Sequence, residues 1–144
     1  MEIINKRNKK VQTLNDAKSA YISFNLRTGR INFNAACCET ARLMLGNYVH
    51  LVNMDKLWFF FSNDDPSGYK LWKPEKDQDY LSACSMPLMR YFMESTGFKE
   101  PVKFFIQKSN AEVKGHKLFE IVTSIPLHTR SNKKNIYITK QNLR

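Results

Sequence analysis

Three cysteines, three histidines and a set of scattered arginines are the side chains in this 144-residue sequence whose types could do chemistry. Cys37 and Cys38 are adjacent in a stretch, Ala35 to Leu45, that reads as helix. A thiol in a first helical turn meets the positive end of the dipole and becomes a better nucleophile; on an Ala-rich helix the same residues also read as small packing groups. His50, His116 and His128 stand far apart, the first two in expected strands with no carboxylate or thiol at ligand spacing. No Cys-x-x-Cys or His-x-x-x-His pair occurs, so no metal is expected. Gly-x-Ser-x-Gly, Walker and dinucleotide-binding patterns are absent as well. The sequence therefore predicts neither catalysis nor a cofactor.

The arginines offer a different chemistry. Arg27 and Arg30 flank Thr28-Gly29, and two guanidiniums on one rigid turn can straddle a phosphate or enter a groove. Solvated turn residues are the plainer reading. Arg42, eight residues past the first helical cap, Asn34, joins them as a cation for DNA. Basic residues also crowd the two ends of the chain. Residues 1–20 carry Lys6, Arg7, Lys9, Lys10 and Lys18 against Glu2 and Asp16, while Arg130, Lys133, Lys134, Lys140 and Arg144 meet no acid in residues 126–144. Of the net +10, only +2 falls on the stretch between. Such arms neutralise phosphates on nucleic acid or anionic lipid heads, or simply keep a protein in solution.

The elements that must hold these groups follow from periodicity. Tyr21-Ile22-Ser23-Phe24-Asn25-Leu26 alternates polar and apolar, as does Arg30-Ile31-Asn32-Phe33, and Thr28-Gly29 between them predicts a hairpin with Arg27 and Arg30 at its tip. Asn34 is a good helix N-cap and Gly46 a good residue to end that helix. Tyr48 to Leu51 then alternates again, and Asn53-Met54-Asp55 turns the chain into Leu57-Trp58-Phe59-Phe60-Phe61. This aromatic run is too apolar for one wet face, so Trp58, Phe59, Phe60 and Phe61 are expected in a core or a dimer interface.

Residues 29–61 resemble the AbrB/SpoVT/MraZ group of swapped-hairpin DNA-binding domains. Gly29-Arg30-Ile31 matches the Gly-Arg-aliphatic strand, Asn34 stands where the group has a helix-opening proline, Gly46-Asn47 falls at the Gly-Asp pair, and Val49-His50-Leu51 continues the match. The proline is missing, and Cys38 and Glu39 occupy helix positions that are often basic in the group. The resemblance implies an interlocked dimer that binds duplex DNA and regulates transcription.

Beyond a charged loop, Lys73 to Asp79, the first pattern partly returns. Ser85 caps an expected helix Met86 to Ser95 closed by Gly97, with the cap-to-glycine spacing of Asn34 and Gly46, and Val102 to Lys108 with His116 to Thr123 predicts another hairpin. The sequence is accordingly read as α+β, antiparallel strands with two short helices, with a degenerate tandem of swapped-hairpin-like units as one arrangement. A basic arm (1–20), a first unit (21–72), a second unit (80–125) and a basic tail (126–144) divide the chain. Asn135 to Thr139 within the tail reads as an edge strand or a segment that folds on a partner. No run is apolar enough to span a bilayer and residues 1–10 lack a signal-peptide core, so a cytoplasmic, membrane-free protein is expected. The reading that results is a non-catalytic, homo-oligomeric DNA-binding protein. The alternative is an assembly component of a phage or mobile element, virion-associated and binding other protein subunits.

Overall fold

The computed structural model describes residues 19–127. Ten elements follow one another: β1 (Tyr21–Asn25), β2 (Arg30–Phe33), α1 (Ala35–Ala41), β3 (Tyr48–Met54), β4 (Leu57–Asn63), β5 (Tyr69–Lys70), β6 (Leu81–Cys84), α2 (Met86–Thr96), β7 (Val102–Val113) and β8 (His116–Ile121). The strands form one antiparallel sheet ordered β5-β3-β4-β8-β7-β1-β2-β6. Its two outer strands then meet, because Trp72 and Ser82 exchange backbone hydrogen bonds of 2.9 Å in both directions. The sheet is therefore a nearly closed barrel, which removes the unpaired edges an open sheet exposes.

Period-two alternation decides what faces inward. Ile22 pairs with Phe33 and Phe24 with Ile31, while on the other side of β1 the same residues meet Phe104 and Val102. Ile31 and Phe33 in turn face Ala83 and Leu81 of β6. Residues paired across a ladder share a face, so these eight line the interior together, and all are buried. Both long hairpins turn through two residues at positive φ, Asp55-Lys56 and Lys114-Gly115, a geometry that matches strand twist.

Each mouth of the barrel receives a helix. α1 leaves β2 after Phe33, the end remote from the β1–β2 turn; α2 leaves β6 after Cys84, which pairs with Arg30 beside that turn. From α2, Phe92 stacks on Phe24 at 4.1 Å and meets Trp58 and Phe104 edge-on. α1 inserts Cys37, Cys38 and Ala41. Strands hold 45% of the described chain, while the helices have only 7 and 11 residues. The expected α+β class is therefore corrected to a predominantly β fold. Nor do residues 21–72 and 80–125 each close a unit of their own, since β7 and β8 of the second stretch lie between β1 and β4 of the first.

The connectivity nevertheless has an internal two-fold. Exchanging β1 with β5, β2 with β6, β3 with β7 and β4 with β8 turns every strand pair of the barrel into another of its pairs. The helix caps obey the same exchange: Asn34 and Ser85 each accept from the backbone N–H three residues on, and Gly46 and Gly97 both sit at positive φ. The correspondence breaks inside the helices. α2 runs to Thr96 and uses Gly97 as its left-handed C-cap. α1 stops at Ala41, and its left-handed C-cap is Arg42 at φ 55°, four residues before the expected Gly46.

Candidate basic cavity

Early termination of α1 leaves a recess beside it. A cavity of about 590 Å³ opens there, lined by Thr40 to Arg42, by Phe61 and Ser62 at the end of β4, by Lys108 to Asn110 of β7 and by His116 to Phe119 of β8. Arg42, Lys108 and Lys117 are exposed and contribute three cations; no carboxylate is among the lining residues. The nearest acid by register is Glu112, opposite Lys117 in the β7–β8 ladder. Hydroxyls of Thr40, Ser62 and Ser109 and the amide of Asn110 complete a wall suited to phosphate oxygens.

Part of that wall is aromatic. Phe61 is sandwiched between His50 and His116, with ring centroids 4.8 Å apart on each side and planes tilted by 10° and 14°. His50 is fixed in turn by Asn63. The Asn63 Oδ1 accepts the Asp65 N–H, so it also accepts from His50 Nε2 at 2.7 Å. Gly68 closes over this pair: a Cβ there would lie 2.7 Å from His50 Nε2 and 2.8 Å from the Val49 carbonyl.

The internal two-fold shows why the recess is on one side only. Under the exchange, Thr40 to Arg42 corresponds to Tyr91 to Met93, where the longer helix continues. There the space is filled: Trp58 contacts the rings of Tyr91 and Phe92 and donates its indole N–H to Ser95 Oγ, and Asn53 reaches the Tyr91 hydroxyl. Where α1 unwinds, Met44 and Leu45 instead stay 63% exposed.

The cations named from the sequence fare differently. Arg27 is in the β1–β2 turn, and its guanidinium pairs with Glu100 at 3.2 Å in an exposed contact. Arg30 lies over the Trp72 ring at 5.0 Å and donates to Asn32 Oδ1, an oxygen that also accepts from the buried Ser82 hydroxyl. Neither guanidinium is free at the tip, and of the three only Arg42 reaches the cavity. Lys6, Arg7, Lys9, Lys10, Arg130, Lys133 and Lys134, like His128 and the Asn135–Thr139 segment, lie outside the described residues. Trp58, Phe59 and Phe60 are buried by this chain itself, and Phe61 is half-buried in the cavity wall.

The two thiols of α1 are inert by position. Cys37 has no exposed surface, and burial, reinforced by Cys38, pushes it well above the ordinary thiol range; burial also raises Cys38, whose Sγ donates to the Phe33 carbonyl. Desolvation outweighs the dipole of a seven-residue helix. Cys84 is exposed. Among the described residues no three His, Cys, Asp or Glu side chains gather as metal ligands, and no helix is long and apolar enough to cross a membrane.

Lys108, Lys117 and the His-Phe-His stack were not singled out from the sequence. Lys117 and His116 sit in a period-two strand like any other, and only the β4–β8 pairing, nearly sixty residues apart in the chain, brings them beside Phe61. Compared with protein families, curated proteins and solved structures, the chain matches none.

Proposed function

We propose that the protein binds nucleic acid through its phosphate backbone and catalyses no reaction there. The observation that carries this reading is the recess lined by Arg42, Lys108 and Lys117 with no carboxylate among its lining residues. A second feature supports it. A residue with a side chain costs roughly 1–2 kcal/mol in the left-handed region, yet the position that ends α1 holds arginine where glycine would be unstrained. The basic residues of both chain ends would add sequence-independent contacts. The likeness of residues 29–61 to the AbrB/SpoVT/MraZ group and a cytoplasmic location belong to the same proposal.

The test is the salt dependence of oligonucleotide affinity, followed by fluorescence anisotropy. Each phosphate contact contributes roughly 0.7 to 0.9 to the slope of log K against log[salt]. Combined Arg42→Gly, Lys108→Ala and Lys117→Ala substitutions should therefore flatten the slope by about 2, whereas Arg27→Ala should leave it nearly unchanged. A variant with the parent's slope would refute the site. Arg42→Gly alone separates binding from folding, since it relieves backbone strain while removing the charge.

A second reading, a subunit that docks other proteins, draws on the exposed pair Met44 and Leu45. It predicts that Met44→Ser with Leu45→Ser lowers the oligomeric state measured by light scattering and leaves oligonucleotide affinity alone.

A further inference from the structure

Resting on that phosphate-binding reading, we infer that the occupant of the cavity is a nucleotide of a single strand, its base continuing the His50–Phe61–His116 stack. Both faces of Phe61 are taken by imidazoles. His116, by contrast, lines the cavity and stacks on Phe61 alone among the described rings. A planar group placed against His116 would extend three nearly parallel rings to four.

The surroundings specify what that planar group carries. Three cations in a wall that holds no acid of its own call for an anion, and Thr40, Ser62, Ser109 and Asn110 supply hydrogen-bonding partners within the same wall. A ligand that is at once aromatic and anionic, and that fits about 590 Å³, is a nucleotide; enclosed ligand sites span roughly 300–1,000 Å³. Paired bases in a duplex are stacked on one another and cannot enter a recess of this kind, whereas an unpaired base can be splayed into it. Single-strand platforms join aromatic rings to basic residues in this way.

A strand, rather than a free nucleotide, follows from the number of cations: Arg42, Lys108 and Lys117 line the same recess, while a single phosphate monoester carries at most about two charges. A strand brings further phosphates to them. The duplex expected from the sequence becomes the comparison arm.

The experiment uses the full chain and fluorescence anisotropy at low salt, with a labelled 20-nucleotide DNA strand, the same strand made wholly abasic, the matching duplex, and unlabelled AMP as competitor. Stacking of one base contributes on the order of tenfold in affinity, so the base-bearing strand should bind about tenfold tighter than the abasic one and tighter than the duplex. His116→Ala should erase the difference between the two strands while leaving abasic affinity unchanged. His116→Phe should retain it. Equal affinity for base-bearing and abasic strands, or a ratio that survives His116→Ala, overturns the stacking assignment and leaves the phosphate-binding reading in place. Displacement of the strand by micromolar AMP overturns the strand in favour of a free nucleotide. Absence of binding to every probe removes both readings together.

Discussion

Asn34 joins more of the molecule than its place as a cap suggests, and the consequence can be measured. Its Oδ1 accepts from the Cys37 N–H at 2.9 Å and from the Tyr21 N–H at 3.0 Å, while its Nδ2 donates to the Ser19 carbonyl at 2.6 Å. One side chain thereby starts α1 and clamps the chain where it enters β1. Loss of an N-cap costs about 1 kcal/mol, and each of the other two hydrogen bonds about 1 kcal/mol. Asn34→Ala should thus destabilise the protein by about 3 kcal/mol. Ser85, its counterpart at α2, makes only the cap bond to the Leu88 N–H, so Ser85→Ala should cost about 1 kcal/mol. Asn34→Asp keeps both accepted bonds and gains from the helix dipole, but it sets a carboxylate oxygen against the Ser19 carbonyl where the Nδ2 donor stood, for a net cost of about 2 kcal/mol. Urea unfolding of the full-length chain, with equal m-values across the set, would order the variants Asn34→Ala, then Asn34→Asp, then Ser85→Ala. If Asn34→Ala costs no more than Ser85→Ala, the clamp on β1 contributes nothing and the coupling drawn here between α1 and the chain entry is wrong.

Other outcomes follow from burial and packing. A thiol reagent at neutral pH should modify Cys84 quickly and Cys37 and Cys38 only on unfolding, because burial raises the latter two and keeps them protonated; two fast thiols in the native protein would contradict the buried helix face. Phe92→Ala removes a ring with no exposed surface, stacked on Phe24 and touching Trp58 and Phe104. It should cost about 3–5 kcal/mol in the same urea assay, and a loss under 1 kcal/mol would mean that α2 does not seal its end of the barrel. Gly68→Ala drives a methyl into His50 and the Val49 carbonyl; overpacking of this kind costs roughly 1–3 kcal/mol. It should also shift the His50 and His116 ring resonances together, whereas movement of His50 alone would show that the stack is not a unit.

How far the sequence reveals this fold depends on the range of the interaction. The β1–β2 hairpin is legible because Ile22, Phe24, Ile31 and Phe33 alternate on either side of a Thr-Gly turn. The caps at Asn34, Ser85 and Gly97 are legible because each is set by neighbours within four residues. What stays hidden is long-range: β7 inserting between β1 and β8, and Trp72 meeting Ser82 to shut the barrel, are pairings between distant segments with no local signature. The class was misjudged for that reason, since two capped helices look equal partners of the strands until the strands are seen to enclose them. The surroundings of the basic residues stay hidden for a related one. Arg27 and Arg30 flank a turn and seem free, but Glu100 and Trp72 reach them from far along the chain, while Arg42 looks unrelated to Lys108 and Lys117 until the fold sets the end of α1 beside the β7–β8 hairpin.

The internal two-fold explains why, among the described residues, the recess beside α1 has no counterpart at the equivalent position beside α2. A symmetric pair of interlocked units would either fill both of these positions or leave both open. Here the stretches from Asn34 to Gly46 and from Ser85 to Gly97 have the same length, yet one continues as helix and places Tyr91, Phe92 and Ser95 around Trp58, while the other unwinds at Arg42. The difference lies in side chains more than in backbone. Phe92 and Met93 extend an apolar face that an enclosed mouth can absorb, whereas Arg42 at the equivalent of Met93 would have to carry its charge toward the barrel interior if the helix went on. Turning left-handed at that residue sends the guanidinium to the rim instead, and the volume the helix would have occupied becomes the cavity. The left-handed turn at Arg42 and the hollow beside it thus go together with two differences between the stretches, Ala41 where α2 has Phe92 and Arg42 where it has Met93.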